Sequence, residues 1–166
     1  MNKPAIRILT IATAFAAAAS MLTGCSGDVP MRAAENANDP ACADVIVRLP
    51  DSVGGMERRT TNAQSTGAWG EGAGVQLVCG IEPSGPTTDA CINVNGVDWI
   101  RDDSAAPIFK FEAYGRNPGL AVYIDSEQSS GTDAIIDLSA VVQQLPQERK
   151  CTSVDDTLDV KKPQEG

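Results

Sequence analysis

The residues able to do chemistry in this chain are few, and their types limit what that chemistry is. The 166 residues contain no histidine. That removes His-dependent nucleophilic triads, the usual imidazole base and most catalytic zinc sites. Carboxylate, guanidinium and thiol remain. Asp98, Asp102, Asp103 and Glu112 lie close in sequence, and a carboxylate pair is the machinery of glycoside hydrolysis. In an acidic chain the same grouping also arises as a solvated face. Asp102-Asp103 offers oxygen ligands to calcium, but no Asp-x-Asp-x-Asp-Gly loop surrounds the pair. No glycine-rich loop leads from a strand into a helix, so the sequence carries no phosphate cradle of that kind.

Arg58, Arg59, Trp69, Trp99, Tyr114 and Arg116 form a second set. Tryptophan and arginine are favoured at binding hot spots. The expectation is that Arg116, in the Gly115 to Gly119 connection, joins Trp69, Trp99 or the Arg58-Arg59 pair on one binding surface. The structural alternative makes the tryptophans core anchors and the arginines loop braces, with Arg116 paired to an acid such as Asp98.

The N-terminus reads as an export leader. Lys3 and Arg7 precede an uncharged apolar run from Ile8 to Leu22. Such a run is marginal for spanning a bilayer, which takes ~20 apolar residues. Leu22-Thr23-Gly24-Cys25 follows and resembles the lipobox of bacterial lipoproteins. The resemblance implies cleavage after residue 24 and diacylglycerol on the Cys25 thiol. One acyl chain anchors only marginally, and lipoprotein processing supplies at least two. Ser26 to Asp39, rich in small and polar residues, is expected to be a flexible tether.

That leader licenses a reading of the other cysteines. Cys42, Cys79, Cys91 and Cys151 remain, an even number in an oxidising compartment, and two disulfides are expected. The favoured pairing is Cys79 with Cys91, across the Pro/Gly-rich loop, and Cys42 with Cys151, at the two edges of the folded region. A four-thiol metal site is the alternative, but no Cys-x-x-Cys spacing is present. Neither a metal nor another cofactor is expected.

Net charge is −9 for the whole chain. The leader contributes Lys3 and Arg7 and no acid, so the remainder stands at −11. Nucleic acid is excluded as a partner, because its phosphates need a basic face. The same charge opposes lying flat on an anionic lipid surface. Membrane attachment then falls to the anchor. Aromatics are 4% of the chain, so the core must be mostly aliphatic.

The elements that must position these residues follow from pattern. Asp39-Pro40 starts a short helix over Ala41 to Leu49, stopped by Pro50. Ser52 to Gly55 is a turn and Glu57 to Thr61 a strand. Ala63 to Gly74 is a glycine-rich loop. Val75 to Cys79 alternates as a strand. Cys91 to Val94 and Val97 to Arg101 flank Asn95-Gly96, the preferred two-residue hairpin turn. Ile108 to Tyr114 and Leu120 to Asp125 are two more strands. Thr132 caps a helix to about Leu145, with Ile135, Leu138, Val142 and Leu145 in one stripe. The expected fold is α+β: an antiparallel sheet with helices near both ends of the domain packed on one face, and two disulfides. Residues 1–24 are the leader, 25–39 anchor and tether, 40–152 a single domain, and 153–166 a disordered tail.

Cys42…Leu49-Pro50, Arg58-Arg59, Trp69-Gly70, Leu77-Val78-Cys79-Gly80, Cys91…Val94-Asn95-Gly96-Val97-Asp98-Trp99, Tyr114-Gly115-Arg116-Asn117-Pro118 and Cys151 resemble an actinobacterial family of small exported proteins. Its domain has no known function. The resemblance spans about Ala41 to Thr152 and implies an envelope location and four domain cysteines. It carries over no catalytic residue. Two functions are therefore expected in order. The first is a lipid-anchored, non-enzymatic accessory or binding protein on the outer face of the cytoplasmic membrane, with an envelope protein or glycan as partner. The second is a carboxylate-dependent hydrolase of envelope glycans.

Overall fold

A computed structural model describes residues 27–152 of the chain. The leader, Cys25 and the expected tail from 153 lie outside them. The order is α1 (Pro40–Ile46), β1 (Ser52–Val53), β2 (Met56–Arg59), β3 (Thr66–Trp69), β4 (Val75–Ile81), β5 (Cys91–Val94), β6 (Val97–Asp102), β7 (Ile108–Ala113), β8 (Gly119–Asp125) and α2 (Gly131–Val142). The strands form one eight-stranded antiparallel sheet, ordered β1-β2-β3-β4-β8-β7-β6-β5.

Register fixes which side chains share a face. Leu77 opposes Val122, and Val122 opposes Phe111. Trp99 opposes Ala113, and Trp69 opposes Val75. These residues join Cys42 and Val45 of α1 and Ile135, Leu138 and Val142 of α2 in one hydrophobic cluster. Helix α1 starts where Asp39 accepts from the Ala41 N–H at 2.8 Å. Helix α2 is capped by Ser130 rather than Thr132, its hydroxyl accepting from Asp133 N–H at 3.3 Å. It ends at Val142, and Leu145 packs beyond the last helical turn.

Three larger expectations also change. Residues 63–74 are not all loop: Thr66–Trp69 is a fully buried strand. Glycine and alanine there hide it from a propensity reading, because Trp69 supplies the bulk that its neighbours lack. The disulfides also pair differently. Cys42 bonds Cys79 and Cys91 bonds Cys151, with Cα–Cα separations of 5.6 and 6.2 Å. The first ties α1 to the sheet centre. Cys79 and Cys91 cannot meet as favoured, since β8, β7 and β6 lie between β4 and β5.

The expected tether is the third. Val29 N–H donates to the Thr60 carbonyl at 2.8 Å and Val29 pairs in parallel with Thr61. Asn36 N–H donates to the Gly80 carbonyl at 3.0 Å, and the Ser65 hydroxyl donates to the Ala37 carbonyl at 2.6 Å. Residues 29–39 are a strap laid on the sheet. Only Val29 and Ala37 in it are buried apolar residues, which is too little for a periodic signal.

Candidate functional site

A groove of about 700 Å³ lies at the β5–β6 end of the sheet. Its floor follows from the hairpin. Asn95 and Gly96 both have positive φ, 49° and 79°, as a type I′ turn requires. That turn sets Asn93 opposite Asp98 and Cys91 opposite Ile100. Their side chains share the sheet face away from the helices. Tyr114, whose N–H donates to the Asp98 carbonyl at 2.8 Å, extends the floor. Pro86, Thr87 and Asp89 form one wall, and Gln147, Lys150 and Thr152 the other.

Asp98 is buried and holds this end together. One carboxylate oxygen accepts from Asn93 Nδ2 at 2.7 Å, the other from Cys151 N–H at 2.9 Å. Glu112 does the same two residues along the neighbouring strand. It accepts from Ser84 N–H at 2.9 Å and from Lys110 Nζ at 2.9 Å. Burial pushes the Glu112 carboxyl up, but the hydrogen bonds from Ser84 and Lys110 outweigh it and hold the group below the ordinary carboxylate range. Lys110 moves up: burial lowers it, and its bond and charge attraction to Glu112 more than reverse that. Asp102 and Asp103 are exposed. Asp102 accepts from Ser104 N–H at 2.9 Å, which lowers it, and Asp103 accepts from Arg101 at 2.9 Å.

Asp98 and Glu112 both serve as hydrogen-bond acceptors for the segments around them. A glycosidase acid needs a raised pKa and a free proton. Glu112 is lowered, and both oxygens of Asp98 and of Glu112 are occupied by structural donors. Cys91, Asp98 and Cys151 bring their ligand atoms within 4.8 Å of one another. The two sulfurs are joined to each other, however, and the metal-binding form of cysteine is the thiolate.

The six expected surface residues do not meet on one surface. Trp69 and Trp99 are both 0% exposed and belong to the core. Trp69 also donates its indole N–H to the Pro50 carbonyl at 3.0 Å. Arg58 opposes Trp69 and Arg59 opposes Ala68, at the far end of the sheet from the groove. Arg58 donates to the Leu49 and Ile46 carbonyls at 3.2 and 3.4 Å, just after α1. Arg116 is buried and donates to the Leu145 carbonyl at 2.8 Å and to the Gly96 carbonyl at 3.3 Å. Burial lowers its pKa, and the nearby Asp98 charge partly opposes that. It braces the end of α2 against the hairpin. Of the six, Tyr114 alone lines the groove. The groove residues Thr87, Asn93 and Gln147 gave no sequence signal; only their positions beside Cys91 and Cys151, once paired, point to them.

A family model described as "Protein of unknown function (DUF3515)" matches residues 5–151, and the chain belongs to that family. No curated protein and no solved structure matches it.

Proposed function

We propose that this family member is a lipid-anchored binding or accessory protein of the cell envelope, with the β5–β6 groove as its binding site. The leader and the Leu22-Thr23-Gly24-Cys25 sequence support export and anchoring at Cys25 on the outer face of the cytoplasmic membrane. One observation supports binding above all: the groove sets polar side chains such as Thr87, Asn93 and Gln147 beside apolar surface from Pro86 and Ile100, is built on a disulfide, and spends its buried carboxylate on bracing. A pre-formed site of this kind holds a ligand without reorganising. An exported protein or a glycan strand is the partner class. The hydrolase reading ranks lower, because it needs a carboxyl free to give up a proton.

The test is site-specific photocrosslinking in intact cells. A photoreactive residue at Thr87, on the groove wall, should give a discrete adduct. The same residue at Asp133, on the exposed side of α2, should give none. Equal labelling from both positions, or none from Thr87, would remove the groove as the site.

A further inference from the structure

We infer that the free edge of β5 takes up one extended segment of an exported polypeptide, which adds to the sheet as a further strand. This rests on the β5–β6 groove as the binding site, and it selects a polypeptide over a glycan as the partner.

β5 ends the sheet, and its strand neighbour is β6 alone. Register sets the direction of its backbone groups. Tyr114 N–H donates to the Asp98 carbonyl, so the backbone groups of Asp98 point toward β7. Asn93 lies opposite Asp98, and its own N–H and carbonyl therefore point away from β6. Alternation gives Cys91, opposite Ile100, the same direction. Among the described residues nothing accepts from the N–H of Cys91 or of Asn93. These two donor–acceptor sets repeat at about 6.8 Å, two residues of strand. A second extended backbone has that repeat, and a sugar chain does not.

The edge is also unguarded. Sheets blunt their edges with charge, proline or a bulge. β5, Cys91-Ile92-Asn93-Val94, has neither charge nor proline, and its pairing with β6 runs without a register shift. At the opposite end of the sheet β1 is only two residues long, and Asp137 of α2 accepts from the Gly54 N–H beyond it at 2.9 Å.

The flanks of the edge sort an incoming strand's side chains. Ile92 opposes Trp99, so it lies on the helix-bearing face, where it is 45% exposed. Helix α2 runs beside β5 there. Ser139 Oγ donates to the Val94 carbonyl at 3.4 Å, and Gln143 Nε2 donates to the Asn95 carbonyl. Ile136, one turn before Ser139 on that side of α2, is 43% exposed. Thr87 and Asn93 stand on the other face, in the groove. Strand side chains alternate between faces. The segment that fits therefore carries apolar residues at every second position and polar ones between. Two copies of this chain, each at −9, repel, so the occupant is a different, neutral or basic segment.

The experiment uses the purified full-length protein with its disulfides formed, and two probes. One is a phage-displayed library of random twelve-residue peptides; the other is soluble cell-wall glycan fragments. Amide exchange is read residue by residue by NMR. In the free protein the Cys91 and Asn93 amides should exchange faster than those of Ile92 and Val94. A saturating selected peptide should slow the Asn93 amide about fivefold or more, the protection given by one modest hydrogen bond. Asn93→Pro removes the outward N–H and leaves the β6 bonds. It should weaken the peptide about fivefold more than Asn93→Ala does. Ile92→Lys, which charges the edge, should abolish binding. A library without a binder overturns the proposal, as does a bound peptide that leaves the Asn93 amide unprotected. Protection that grows with protein concentration alone assigns the edge to a second copy and overturns it too. Glycan fragments that shift the Thr87 and Asn93 signals while no peptide does so keep the groove and sink the strand. Silence of the groove toward both probes sinks the groove reading itself.

Discussion

At the scale of residues, the carboxylates that look catalytic in sequence act as clamps. Glu112 holds the loop before β5 through Ser84, and Asp98 holds the C-terminal segment through Cys151. The pH dependence follows. The folded Glu112 carboxyl is lowered from its usual 4.5, so the unfolded chain takes up its proton first as pH falls. Its stabilisation is complete above that unfolded value and is lost as pH falls through the folded one. Glu112→Gln should cost about 1–2 kcal/mol near neutral pH. The gap from wild type should close in acid, as read by chemical denaturation across pH. A gap that stays constant with pH would contradict the clamp. Gly80 gives a second prediction. Its φ is +97°, and an added Cβ would lie 2.6 Å from the Ala37 backbone nitrogen. Gly80→Ala should therefore cost about 2 kcal/mol or more and loosen the strap, seen as faster amide exchange at Asn36. Neither role was legible in the sequence. A glycine and a glutamate announce their type, whereas their partners Asn36 and Ser84 lie 44 and 28 residues away and are set by register.

At the scale of elements, what the sequence makes legible is what local chemistry dictates. The hairpin at Asn95-Gly96, the helix start at Asp39-Pro40 and the α2 stripe all follow from residues within a turn or two of one another. Strand β3 and the strap were not legible, since their burial comes from strands distant in sequence. The disulfide pairing failed for the same reason, because sequence proximity of Cys79 and Cys91 says nothing about strand order. The two bridges close 37 and 60 residues, worth about 4 kcal/mol each in the chain-entropy account. They differ in access. Cys42 and Cys79 are fully buried, and Cys91 and Cys151 are half-buried beside the groove. Mild reduction should open Cys91–Cys151 first, leaving the core intact and freeing the segment that Asp98 holds. Mass mapping of alkylated cysteines reads this. Cys42 or Cys79 labelled at the same rate as Cys91 would contradict it.

At the scale of the whole molecule, the sheet carries different chemistry at its two ends. The β2 end carries the strap and Arg58 and Arg59, which make no salt bridge among the described residues, and the β5–β6 end carries the groove. The proposed anchoring depends on Cys25. The most direct test is the intact mass of the N-terminal peptide from protein purified out of native membranes, alongside fractionation of Cys25→Ser. The account predicts a chain that begins at Cys25 with diacylglycerol on its sulfur, and a Cys25→Ser protein that is uncut or released. A chain cut elsewhere with an unmodified Cys25, or a Cys25→Ser protein processed and retained like wild type, would contradict it.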